Sequence, residues 1–94
     1  MRNQTPPNYL RKYRKAAGFT QRQVARILGF KDTSMISRWE KGVCLPKLET
    51  IFKLAVIYRT MVEALFIDLL RGIRIAVHKR EEQFKTEFND AGKS

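Results

Sequence analysis

The sequence predicts an all-α fold. Apolar residues recur at the three- and four-residue spacing of a helix along most of the chain, and the first three stretches each close on a glycine. Nothing alternates as a half-buried strand does, and the chain holds no internal repeat, Gly/Ser linker or low-complexity tract. Ninety-four residues, 44% hydrophobic and 30% charged, suffice for one small globular domain with an extension.

Five helices are expected, in this order. Pro6-Pro7 suits a helix start, and the first helix covers about residues 8–17, with Leu10, Tyr13 and Ala17 inward and Gly18 closing it. The second covers about residues 21–28. Its cap is Thr20, whose hydroxyl can accept from a free backbone N–H of the first turn. Val24, Ala25 and Leu28 share one face, and Gly29 stands where a left-handed residue ends a helix. The third covers about residues 33–41, capped by Asp32 or Thr33. Met35, Ile36 and Trp39 are its expected core face, Val43 a further candidate, and Gly42 its end. Leu45-Pro46 then breaks the chain. The fourth helix covers about residues 48–58, with Ile51, Leu54, Ala55 and Tyr58 at helical spacing. The fifth begins near Val62 and continues to about Phe84 or Phe88, beyond which residues 89–94 are expected to fray.

The second and third helices are too short to bury their faces alone. Joined at a steep angle and backed by neighbours, they make a helix-turn-helix, the unit that presents its second helix to the DNA major groove. The charge distribution points the same way. Residues 1–47 carry eleven Lys/Arg against two acids, a net +9, whereas residues 48–94 carry eight against seven, a net +1. The basic excess therefore coincides with the motif, where it can neutralise phosphates and release counterions. A basic face kept for solubility, or for acidic membranes or proteins, is the competing reading.

Thr20-Gln21, Val24-Ala25, Leu28-Gly29, Ile36-Ser37, Trp39-Glu40, Gly42 and Pro46 form an ordered set. Leu10, Tyr13-Arg14 and Gly18 extend it upstream, and Leu48, Leu54-Ala55 and Leu65-Phe66 downstream. Over about residues 8–66 this set resembles the Cro/repressor (Xre-type) DNA-binding family. The resemblance implies a five-helix, lambda-repressor-like domain at 8–66 with its motif at about 20–42. An N-terminal arm at 1–7 precedes it and a helical extension at 67–94 follows. In one respect the chain departs from the family: between Gly29 and Ile36 it carries one residue more than the usual spacing, around Lys31–Thr33, which shifts the turn register.

Site residues follow from the same resemblance. Gln21, at the start of the second helix, would hydrogen-bond a backbone phosphate, helped by the positive helix terminus. Thr33, Ser34, Ser37 and Arg38 match the family positions that meet base edges. Arg38 leads them, because a guanidinium can bridge O6 and N7 of guanine. A phosphate contact or surface salt bridge is its alternative role, and for Thr33 the alternative is helix capping. Lys31, Lys41 and Lys47 flank the motif as phosphate contacts or as plain surface lysines. Arg11, Lys12, Lys15, Arg22 and Arg26 would supply the general field. Arg14 and Glu40 match a family pair that locks the first helix onto the recognition helix, a structural contact rather than a catalytic one.

The extension exceeds the family core. Val62, Leu65/Phe66, Leu69/Leu70, Ile73, Ala76/Val77, Arg80, Phe84 and Phe88 form an amphipathic stripe of about seven turns. Such a helix outreaches the domain, and a twofold homodimer through Leu69, Leu70, Ile73, Val77 and Phe84 is one way to cover it. Folding back on its own domain, or docking another protein, are the others. Gly72 either weakens this helix or permits a close approach.

No catalytic constellation is visible. His78 is the only histidine and has no matched nucleophile, and no Gly-rich phosphate loop, nucleotide fingerprint or His-acid metal motif is present. The single cysteine, Cys44, makes no disulfide framework and no cysteine-based zinc site. No cofactor or metal is expected, nor a signal peptide or membrane span. The expectation is a cytoplasmic, nucleoid-associated protein, bacterial or phage-encoded. It would be a small dimeric regulator, a repressor by the resemblance, on a palindromic double-stranded operator. An antitoxin that binds its toxin through the C-terminal helix, or an adaptor that binds proteins without reading DNA, are the rival expectations.

Overall fold

The computed structural model describes residues 6–93, with side chains placed through residue 87. The arm at 1–7 thus lies outside the described residues except for Pro6 and Pro7, and the Phe88 side chain lies outside them too. Six helices follow in order: α1 Leu10–Ala16, α2 Gln21–Leu28, α3 Ser34–Lys41, α4 Leu48–Tyr58, α5 Val62–Leu65 and α6 Ile67–Lys93. No strand occurs among the described residues.

Each apolar stripe supplies one wall of a single core. Leu10 from α1, Val24 and Ala25 from α2, and Ile36 and Trp39 from α3 meet Leu54 and Tyr58 from α4. Leu65 and Phe66 close the far side, at 0% and 8% exposure. The Phe30 ring meets Trp39 edge to face, with centroids 5.8 Å apart.

Left-handed glycines delimit the motif. Gly29 ends α2 at φ 84°, and the following Phe30 N–H donates back to the Ala25 carbonyl at 2.8 Å. Gly42 ends α3 at φ 78°, with the Val43 N–H returning to Arg38 at 2.9 Å. These bonds satisfy carbonyls that a helix end leaves open.

The structure corrects several expectations. α1 begins at Leu10 rather than near Asn8, because the Asn8 Oδ1 accepts from the Leu10 N–H at 3.0 Å and so acts from outside the helix. The expected fifth helix is two helices. At Phe66 the backbone swings to φ −132°, ψ 43°, which lets Leu65 and Phe66 both point inward and redirects the chain into α6. Met35 is 40% exposed and Val43 54%, so neither belongs to the core. Met35 precedes Ile36 by one position, about 100° around the helix, and that rotation takes it out of the stripe.

The start of α6 is tied to the domain. The Tyr9 N–H donates to the Leu65 carbonyl at 2.9 Å, and the Tyr9 hydroxyl donates to Asp68 Oδ2 at 2.7 Å. Beyond Leu70, every described side chain of α6 is exposed. A 27-residue helix is about 40 Å long, which accounts for the molecule's extents of 64 × 33 × 20 Å. Gly72 has open space where a Cβ would stand, so no close approach within this chain requires it.

Candidate nucleic-acid interface

Thr20 and Gln23 set the start of α2. The Gln23 N–H donates to Thr20 Oγ1 at 3.1 Å, and the Thr20 N–H donates to Gln23 Oε1 at 2.9 Å. This reciprocal box satisfies two donors that the helix start leaves open. Gln21 becomes the first helical residue, and its Nε2 donates to Glu40 Oε1 at 3.0 Å. One amide hydrogen is therefore used inside the fold, and the second remains for an outside acceptor.

Glu40 is a junction. Its carboxylate also accepts from Arg14 Nε at 2.6 Å and from Nη2 at 3.2 Å, and the two side chains are only 9% and 5% exposed. Arg14 Nη1 donates to the Phe19 carbonyl at 2.9 Å. The hydrogen bonds to Glu40, reinforced by its charge and opposed by burial, hold the Arg14 pKa above its ordinary value. Arg14 thus joins α1, the α1–α2 loop and α3, and Gln21 brings α2 to the same carboxylate. The chemistry is positional: it fixes how α3 sits on the domain.

At the start of α3, Asp32 Oδ1 accepts from the Ser34 N–H at 2.9 Å. Hydrogen bonds from Ser34, the backbone one foremost, hold the Asp32 carboxyl below the usual carboxylate range. The Thr33 side chain makes no cap bond. Thr33 thus holds the N-cap position without a bond from its side chain, and Asp32, one residue earlier, supplies the acceptor for the first N–H of the helix.

With Ile36 and Trp39 turned inward, α3 leaves Ser34, Met35, Arg38 and Lys41 exposed, with Ser37 half-buried. Two basic hollows flank it. One, of about 540 Å³, is lined by Arg22, Arg26, Lys31 and Thr33 together with Ala25, Phe30 and Asp32. The other, of about 300 Å³, is lined by Arg11, Arg14, Gln21, Ser37, Glu40 and Lys41. The fold therefore groups Lys31 with Thr33, and Gln21 with Ser37 and Lys41. Lys47 lines neither hollow and stands exposed at the N-cap of α4.

Three residues gain a place that sequence reasoning gave them only loosely. Arg22 and Arg26 stand four apart on α2, which puts them on one helix face, and that spacing was available as a signal. Arg11 joins the second hollow through its place on α1, which nothing local in the sequence foretells. None of these three makes an ion pair among the described residues.

No helix among the described residues is long and apolar enough to cross a membrane. Residues 10–63, more than half of the chain, match the family model described as helix-turn-helix. No curated protein and no solved structure gives a significant match.

Proposed function

The chain belongs to this helix-turn-helix family, of Cro/C1 type, and on that premise we propose that it is a dimeric transcriptional repressor reading a palindromic operator with α3. The carrying observation is the exposure of Ser34, Met35 and Arg38 on α3 between two basic hollows. Base edges are read by groups that project from a helix lying in the major groove, while cations at its flanks hold the phosphates.

Roles follow from position. Arg38 donates to guanine O6 and N7. Thr33, Ser34 and Ser37 donate to or accept from neighbouring bases, and the thioether of Met35 lies against a thymine methyl. Gln21 and Lys41 hold one backbone, Lys31 with Arg22 and Arg26 the other, and Lys47 a flanking phosphate. Arg14 and Glu40 keep α3 at a fixed angle to all of them. No catalytic step and no cofactor enter this function, which is exercised in the cytoplasm on the nucleoid. The exposed stripe of α6 supports a second copy as the partner, since a palindrome is read by two domains related by a twofold. If the stripe instead held a toxin, co-expression with that protein would yield a stable heterocomplex and no homodimer.

Titration of a labelled duplex at several salt concentrations tests the reading. Affinity should fall steeply with salt, with a logarithmic slope of about −0.9 per neutralised phosphate. A protein without salt-dependent duplex affinity would be an adaptor and would sink the proposal.

A further inference from the structure

The geometry of α6 specifies how two copies meet. We propose that α6 pairs antiparallel with the α6 of a second copy, over residues 70–87, about a twofold axis between His78 and Lys79. This inference rests on the dimer reading above and adds its direction and register.

The stripe has a seven-residue repeat. Leu70, Val77 and Phe84 occupy one seam position, and Ile73, Arg80 and Glu87 the other. Of the apolar residues, Ile73 is 48% exposed, Val77 45% and Phe84 65%, whereas Ile75, off the seam, is 71% exposed. The seam is apolar at one position and partly charged at the other, so direction decides what meets what.

In a parallel pair, equivalent seam positions face each other. Arg80 would meet the partner's Arg80, and Glu87 the partner's Glu87, both in the contact. In the antiparallel register each layer joins the two different positions. Ile73 then meets Phe84 of the partner subunit, Val77 meets the partner's Arg80, and Leu70 meets the partner's Glu87 at the open ends. The Arg80 stem can lie along the partner's Val77 while its guanidinium reaches water at the edge.

The surface carries the matching shape. Val77, Arg80, Glu81 and Phe84 stand at i, i+3, i+4 and i+7 and, with Ala76, surround a hollow of about 360 Å³. Four residues so spaced form the hole that receives one side chain of a facing helix. In the antiparallel register the side chain that enters is Val77 of the partner subunit. In a parallel one it would be the partner's Arg80.

Charge at the rim agrees. Arg74 and Glu81 flank the seam on the same side, one repeat apart, and neither makes an ion pair among the described residues. The antiparallel register sets Arg74 opposite the partner's Glu81, twice by symmetry. A parallel register sets neither opposite an opposite charge.

Length connects this arrangement to DNA. With the axis between residues 78 and 79, the two Ile67 positions are 23 residues apart along the pair, or about 35 Å. The domains are then rooted one turn of duplex apart, close to the roughly 34 Å between successive major grooves on one face. A parallel pair would root them side by side.

Three positions on one outer face report the direction: Gly72, Lys79 and Thr86. In the 94-residue chain with Cys44→Ser, each would carry a spin label through a single introduced cysteine, and inter-label distances would be read by double electron–electron resonance. The antiparallel register predicts the shortest distance at Lys79. Axial separations of about 20 Å at Gly72 and about 23 Å at Thr86 add to it. Equal distances at all three sites, or a steady rise along the helix, would overturn the proposal while leaving the dimer intact. A monomer by sedimentation would overturn the dimer reading and this one together. Charge exchange gives a second measure. Arg74→Glu or Glu81→Arg alone should weaken the dimer roughly tenfold, and the double exchange should restore it. A double variant no tighter than the single ones would contradict the register.

Discussion

Replacing Arg14 by methionine should cost far more than removing any surface charge. The guanidinium makes three hydrogen bonds, two to Glu40 and one to the Phe19 carbonyl. Methionine keeps the stem's packing and deletes all three. Glu40, whose side chain is only 5% exposed in the wild type, then keeps Gln21 as its remaining hydrogen-bond donor. A buried charge left without its partner typically costs about 3–5 kcal/mol, against a total stability of roughly 5–15 kcal/mol for a domain. Lys53 provides the comparison. It lies 3.5 Å from Glu49 with side chains 55% and 82% exposed, and an exposed i, i+4 pair contributes only about 0.3–0.5 kcal/mol. Urea unfolding followed through Trp39, the only tryptophan, measures both. It should be run at matched protein concentration, because association shifts apparent stability. With a slope of about 1 kcal/mol/M, Arg14→Met should lower the midpoint by about 3 M or leave the domain unfolded. Lys53→Ala should shift it by under about 0.5 M. The double variant Arg14→Met/Glu40→Leu should recover part of the loss, since no unpaired charge remains buried. An Arg14→Met midpoint as little changed as that of Lys53→Ala would refute the junction.

Other consequences are equally direct. Arg59 caps α4 at φ 55°, a left-handed conformation that disfavours a side chain. Arg59→Gly should therefore stabilise the domain by about 0.5–1 kcal/mol and raise Tm by a few degrees; a lower Tm would contradict the strain. Burial, and then the charge of Glu40, push the Tyr58 hydroxyl well above its ordinary pKa. A pKa raised on folding contributes stability that is intact below the unfolded value and lost as pH rises. The domain should therefore hold its full Tyr58 contribution below about pH 10 and weaken above it. Tyrosine absorbance of the native protein should show a late-titrating group that Tyr58→Phe removes; a wild-type curve with no late group lost in the variant would contradict the burial. Lys31→Ala and Lys41→Ala should each weaken duplex binding evenly across sequences and reduce the salt slope by about one. A sequence-selective loss would place that lysine at a base instead.

Much of the fold was legible because the local signals agree with one another. For α2, the Thr20 cap, the Val24/Ala25/Leu28 face and Gly29 all mark the same limits, and the helix spans Gln21–Leu28. α4 was equally plain. The elbow at Phe66 was not, because Val62, Leu65, Leu69 and Leu70 stay in phase across it. Only tertiary contacts favour the turn there: the burial of Leu65 and Phe66, and the hold of Tyr9 on Leu65 and Asp68. Met35 misled for a related reason, since an apolar residue beside the stripe reads as part of it until the neighbouring helices show where the core ends. At the site, sequence could propose Asp32 or Thr33 as the cap but could not choose, because the choice depends on turn geometry. The Arg14–Glu40 contact came from family resemblance alone, as 26 residues of chain separate the two. The grouping of Arg11 with Lys41, and of Arg22 with Lys31, required the packed helices.

The most direct measurement is selection of bound sequences from a random duplex pool at roughly physiological salt, for wild type and Arg38→Ala. Enrichment of a palindrome by wild type, with one base preference in each half-site lost in the variant, is the predicted result. Duplex binding without enrichment, or the same palindrome selected equally by both proteins, would contradict sequence reading by Arg38 on α3.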